Sequence, residues 1–78
     1  MDTTLDNNLA IIFASIFDVS NEDARSIRRA TEPKWDSLAH VTLITAIQSE
    51  FTLELSPTDF EHMTSYAATR MLLEDKGL

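Results

Sequence analysis

The sequence predicts an all-α protein, and three observations support that class. The 78 residues include one Gly and two Pro, and 44% are apolar, which is typical of an ordered helical globule. Apolar residues recur at steps of three and four, the spacing of one helix face. Ser, Thr and Asp residues precede these stretches, where helix N-caps occur. Because a chain of this length holds one core, we expect a single domain over residues 1–78.

The first helix is predicted over residues 4–17, where an apolar stripe begins at Leu5 and Asp2 to Thr4 supply the cap. Its apolar run Leu9–Phe17 is too short to span a bilayer, and no Lys or Arg precedes it. We therefore expect no membrane insertion, no secretory leader and a cytoplasmic location.

The next segment, Asp18–Asp36, has no sustained periodicity, so we predict a long loop that contains one or two helical turns. Ser20 with an acid three residues later favours a helix start, and Pro33 ends any helix. Trp35 is predicted to close an edge of the core. Four of the six cations lie in this loop: Arg25, Arg28, Arg29 and Lys34. A nucleic-acid patch is one interpretation, but in so acidic a chain we expect a solvated loop that neutralises acids elsewhere.

The strongest helix prediction covers Ser37–Phe51, with Asp36 or Ser37 as its cap. Its predicted apolar stripe consists of Leu38, Val41, Ile44, Ile47 and Phe51, widened by Leu43 and Ala46. A short extended link, Thr52–Leu55, follows this helix.

Two further helices complete the predicted architecture. Ser56-Pro57 followed by Asp59 indicates a short helix that ends near Met63. A last helix is predicted over residues 65–75, and it would bury Ala68, Met71 and Leu72. The result is a small helical bundle.

Charge and composition exclude several classes of function. Thirteen Asp+Glu against six Lys+Arg give a net charge of −7, which argues against nucleic acid and anionic membranes and favours a basic partner. With no Cys, and with His40 and His62 far apart, we expect no metal site and place both histidines on helix surfaces. No preorganised acid, base and oxyanion donors are apparent, so we do not expect an enzyme.

The tripeptide Asp36-Ser37-Leu38 opens the strongest helix. A serine there lies beside free backbone N–H groups and the positive end of the helix dipole, both of which favour a phosphate. The alternative is that Ser37 is an ordinary N-cap.

The wider context, Trp35-Asp36-Ser37-Leu38-Ala39-His40-Val41-Thr42-Leu43-Ile44 followed by Glu50-Phe51, resembles the acyl carrier proteins. In that family a DSL motif opens the second helix and a Glu-Phe pair closes it. The resemblance continues through Leu53, Leu55 and Ser56 to Asp59 and covers nearly the whole chain. It implies a four-helix bundle of acyl-carrier type, with a long loop between helices one and two and a short third helix.

This resemblance implies a specific chemistry. Ser37 would carry a 4′-phosphopantetheine arm, which a phosphopantetheinyl transferase takes from coenzyme A with the help of a magnesium ion. The thiol of the arm holds acyl groups as thioesters, so the carrier needs no cysteine of its own. Asp36 would help the transferase to dock, and Leu38, Val41 and Glu50 would form the partner surface. Helical phase further predicts an acyl cleft between the second and third helices, lined by Val41, Ile44, Ile47, Leu55, Phe60 and Met63.

Departures from the family pattern bear on the partners. Thr42, Gln48 and Ser49 stand where the family has acids, which weakens electrostatic docking. We therefore expect a monomeric carrier with its own acyl-loading and acyl-using enzymes, in a specialised pathway rather than general fatty-acid synthesis. Two alternatives remain: an aminoacyl or peptidyl carrier with the same arm, and a carrier-like helical interaction module without it.

Overall fold

Helices form all the regular structure of the described residues, which are residues 3–78 of the computed structural model. The predicted capping residue Asp2 lies outside them. The five helices of the described residues are α1 Thr3–Phe17, α2 Asn21–Ala24, α3 Ser37–Phe51, α4 Pro57–His62 and α5 Tyr66–Asp75. Since the described residues contain no strand, the all-α prediction is confirmed.

Side-chain caps define where four of these helices begin. Ser20, Asp36, Ser56 and Ser65 each accept a hydrogen bond from the backbone N–H three residues later. At α4 the bond is reciprocal, because the Ser56 N–H donates to the Asp59 carboxylate at 2.9 Å. These caps satisfy N–H groups that have no partner within the helix, which is why the sequence located these boundaries well.

An aromatic cluster lies at the centre of the core. Phe13 and Phe17 of α1 contact Trp35, with ring centroids 5.6 and 5.3 Å apart, and Phe13 also contacts Tyr66 of α5 at 5.0 Å. The Phe13 contacts to Trp35 and Tyr66 are edge-to-face, the arrangement that the aromatic quadrupole favours. The cluster therefore joins α1 and α5 to the loop that precedes α3. The predicted burial of Trp35 is confirmed.

The long connection between α1 and α3 is attached to the rest of the fold. Ala24 and Ile27 are buried in the core. The Arg29 N–H donates to the Thr64 carbonyl, and the Tyr66 N–H donates to the Ile27 carbonyl, both at 2.9 Å. These two bonds flank a single antiparallel bridge and hold the connection against the start of α5.

The inward face of α5 differs from the prediction. Met71 was expected in the core but is 65% exposed, while Tyr66, Thr69 and Leu73 are the buried residues. Ala68 and Leu72 are half-buried. The physical reason is that Tyr66 fixes the inward face, because its hydroxyl donates to Asp6 and its ring packs against Phe13. The Thr69 hydroxyl on that face donates to the Ser65 carbonyl at 2.8 Å, so it is buried with its hydrogen bond made.

A polar cluster on Asp6 fastens the connection and α5 to α1. The Arg25 Nε donates to one carboxylate oxygen at 2.8 Å, and the Tyr66 hydroxyl donates to the other at 2.6 Å. The Arg70 guanidinium lies 3.7 Å from the same carboxylate. The Tyr66 hydrogen bond, followed by the Arg25 hydrogen bond, lowers the pKa of Asp6 below its usual value. The expected pairing of a loop cation with an acid elsewhere is observed at Arg25.

The Asp6 cluster predicts a loss of stability in acid. A carboxyl whose pKa is lower in the folded than in the unfolded state stabilises the fold above its unfolded pKa of about 3.9. That stability is lost as the pH falls through the lower, folded value. We expect Asp6→Asn to reduce the free energy of unfolding at pH 7 by about 1–3 kcal/mol, since it weakens bonds to a charged acceptor.

Urea unfolding of the parent and of Asp6→Asn at pH 7, 5 and 3 tests the prediction for the Asp6 cluster. Asp59 also has a lowered pKa, chiefly through its bond to Lys76, so the variant should keep part of the acid sensitivity. The stability difference between parent and Asp6→Asn should therefore shrink toward pH 3. A difference that stays constant from pH 7 to pH 3 would contradict the assignment.

Candidate functional site

The candidate site is the first turn of α3, where Asp36 acts as the N-cap. Its Oδ1 accepts the Ala39 N–H at 2.8 Å, and its backbone is extended, as an N-cap requires. Ser37 is the first helical residue and is exposed. Among the described residues, no hydrogen bond occupies its hydroxyl. The side-chain cap of this helix is therefore Asp36 and not Ser37.

Two apolar side chains beside Ser37 lie in solvent. Leu38 is 76% exposed and Val41 is 59% exposed. The prediction that both belong to the core stripe is wrong, because α3 buries His40, Leu43, Ile44 and Ile47 instead. Their predicted role as a partner surface is compatible with this exposure and stays a prediction.

His40 is the main correction to the sequence-based view of α3. Predicted on the surface, it is only 8% exposed. The Trp35 indole Nε1–H donates to His40 Nδ1, and His40 Nε2 lies against the Phe60 carbonyl oxygen, both at 2.9 Å. A buried tryptophan needs an acceptor for its N–H, and this need was the signal in the sequence that could have indicated a buried polar partner.

The six residues predicted to line an acyl cleft lie in three environments. Ile44, Ile47, Leu55 and Met63 belong to the closed core, Phe60 packs against it half-buried, and Val41 faces solvent. The Gln48 side chain accepts the Leu55 N–H at 2.9 Å and holds the link Thr52–Leu55 to the end of α3. The acyl cleft between α3 and α4 stays a prediction.

The structure separates the other predicted site residues by position along α3. Asp36, Ser37, Leu38 and Val41 all lie within its first two turns. Glu50 is exposed but follows Ser37 by more than three turns, about 20 Å along the helix axis. Any partner that contacts both Ser37 and Glu50 must therefore cover almost the whole length of α3.

Two structural features are absent from the described residues. Within them, no group of three or more His, Cys, Asp or Glu side chains is arranged to hold a metal ion. None of the helices in that part of the chain combines the length and apolar character needed to cross a bilayer.

Comparison with known proteins returned no match: no family model, no curated protein and no solved structure is significantly similar to this chain.

Proposed function

We propose that this chain is a carrier protein that receives a 4′-phosphopantetheine arm on the Ser37 hydroxyl. The observation that carries the proposal is the exposed hydroxyl of Ser37, which makes no hydrogen bond within the described part of the chain, at a helix start that Asp36 caps. A serine with no structural task there leaves its hydroxyl free for modification. The resemblance of the surrounding sequence to acyl carrier proteins supports the same conclusion.

The chemistry fits the residues present. The Ser37 oxygen would form a bond to the phosphorus of the pantetheine phosphate, and the phosphate anhydride of coenzyme A would break with departure of the nucleotide half. The hydroxyl proton would pass to a base of the transferase, which also supplies the magnesium ion. The free N–H groups and positive dipole end of α3 favour the phosphate once it is attached. When bound, the arm supplies the thiol that carries cargo as a thioester.

The proposal includes the fold and the partners. Helices α1, α3, α4 and α5 would be the four helices of an acyl-carrier bundle, and α2 would be a turn within its long loop. Leu38 and Val41 would provide apolar contact to the transferase and to acyl-loading and acyl-using enzymes, with Asp36 as the adjacent charge. Because α3 carries few acids, these enzymes would belong to a specialised pathway. An aminoacyl or peptidyl cargo uses the same arm and is the main alternative.

Intact mass spectrometry tests the attachment site. The protein is incubated with coenzyme A, magnesium and a promiscuous phosphopantetheinyl transferase, beside Ser37→Ala and the control Ser49→Ala, an exposed serine of the same helix. We expect parent and Ser49→Ala to gain one phosphopantetheine and Ser37→Ala to gain none. Ser37→Ala should stay folded, since Asp36 retains the cap. If the folded parent gains nothing, the protein is a helical interaction module without the arm.

A further inference from the structure

His40 connects three parts of the chain next to the candidate site. It lies on α3 one turn after Ser37, accepts from Trp35 in the preceding loop, and touches the Phe60 carbonyl of α4. Its ring also packs near the Trp35 ring, with centroids 6.0 Å apart. Both rings are buried, so water does not readily replace either partner.

The direction of these hydrogen bonds fixes the state of the imidazole. An indole N–H can only donate, so Nδ1 of His40 must be unprotonated to accept from Trp35. A carbonyl oxygen can only accept, so Nε2 must carry the hydrogen and donate to Phe60. Only the neutral Nε2–H tautomer satisfies both bonds. Protonation would place a second N–H at Nδ1, directly against the Trp35 N–H.

We propose that His40 is a positioning residue for the first turn of α3 and that its protonation releases this turn from Trp35. In the neutral form, the two bonds hold the turn that presents Ser37 against the loop on one side and α4 on the other. In the charged form, the Trp35 bond cannot exist, while the bond from Nε2 to the Phe60 carbonyl can remain. We call the two hydrogen bonds of His40, to Trp35 and to Phe60, the His40 bridge. The link between this bridge and arm attachment rests on the proposed function, but the bridge itself does not.

Charged groups near the bridge have partners of their own. The Asp36 carboxylate accepts the Ala39 N–H, and Lys34, beside Trp35, donates to the Phe17 carbonyl at 3.2 Å. On α4, the Asp59 carboxylate is bonded to Ser56 and Lys76. The remaining titratable side chains beside Phe60 are Glu61 and His62, which are exposed. His62 carries an exposed imidazole on the same helix as Phe60, and it therefore provides the matched control.

Nitrogen-15 NMR of the imidazole rings in the full chain tests the tautomer directly. At pH 8 we expect the His40 ring to show an unprotonated Nδ1 and a protonated Nε2, with His62 in the usual mixture. A His40 ring protonated at Nδ1 at pH 8 would overturn the proposal. This readout requires neither a variant nor the arm, so it stands even if Ser37 proves never to be modified.

Urea unfolding between pH 8 and pH 5.5 tests the release. Because protonation of Nδ1 would remove the Trp35 hydrogen bond, the stability of the parent should fall as the pH falls, and the slope of this fall is the quantity compared. We expect His62→Gln to keep this slope and His40→Gln, which cannot titrate, to lose it. Equal slopes in the parent and His40→Gln would refute the proposal. If His40→Gln does not fold, the comparison of parent with His62→Gln and the ring spectra decide.

Discussion

Phe13→Ala is expected to lower the free energy of unfolding by about 3–5 kcal/mol, the largest loss of stability predicted for any substitution considered. The Phe13 side chain is completely buried and contacts the rings of Phe17, Trp35 and Tyr66. Removing a buried phenylalanine costs about 3–5 kcal/mol, because the apolar contacts are lost and a cavity remains. A chain of this length has a total stability of roughly 4–12 kcal/mol, so one substitution removes much or all of it.

Circular dichroism with urea titration measures the effect. The matched control is Ile11→Ala, two residues away on the same helix, where the side chain is 54% exposed. We expect the control to keep most of the parent stability, since little apolar surface is removed from the core. If Phe13→Ala unfolds at the same urea concentration as the parent, the aromatic cluster is not what holds α1, the loop and α5 together.

The helix boundaries could be predicted from sequence because they depend on local bonds. A cap such as Ser56 with Asp59 is made within four residues, and the bounds of α3, Ser37–Phe51, follow from the same kind of signal. The location of Ser37 at the start of α3 was predictable for this reason. That Asp36 and not Ser37 caps the helix depends on backbone geometry, which the two adjacent polar residues left open.

Which side chains face the core was harder to predict, because distant partners decide it. His40 and Thr69 are polar but buried, since Trp35 and the Phe60 and Ser65 carbonyls supply their hydrogen bonds. With His40 on the inner face, Leu38 and Val41 are turned outward, against the order that hydrophobicity alone predicts. The Asp6 cluster was also missed, because its partners lie 19 and 60 residues away and no spacing rule connects them.

The second large expected effect is on the rate of arm transfer to Ser37, and it follows from the outward position of Leu38 and Val41. In the double variant Leu38→Ser, Val41→Ser, we expect arm transfer to Ser37 to slow by about tenfold or more. Burial of apolar surface is the dominant favourable contribution in most protein–protein association, and these two side chains lie one and four residues after Ser37. Serine leaves the net charge unchanged, so the change isolates apolar contact from electrostatic steering. Stability should change by only about 0.5 kcal/mol, because neither side chain is in the core.

The rate of mass gain under limiting transferase measures this effect, with Ile11→Ser as the control for loss of an exposed apolar side chain elsewhere. The control should be modified at the parent rate, since α1 does not include the Ser37 turn. If the double variant is also modified at the parent rate, the transferase does not use this surface. The proposed contact of Leu38 and Val41 with acyl-loading and acyl-using enzymes would then be the part of the partner-surface proposal that is left. Because their side chains are turned away from the core, contact with a partner is the one way in which their apolar surface can be buried.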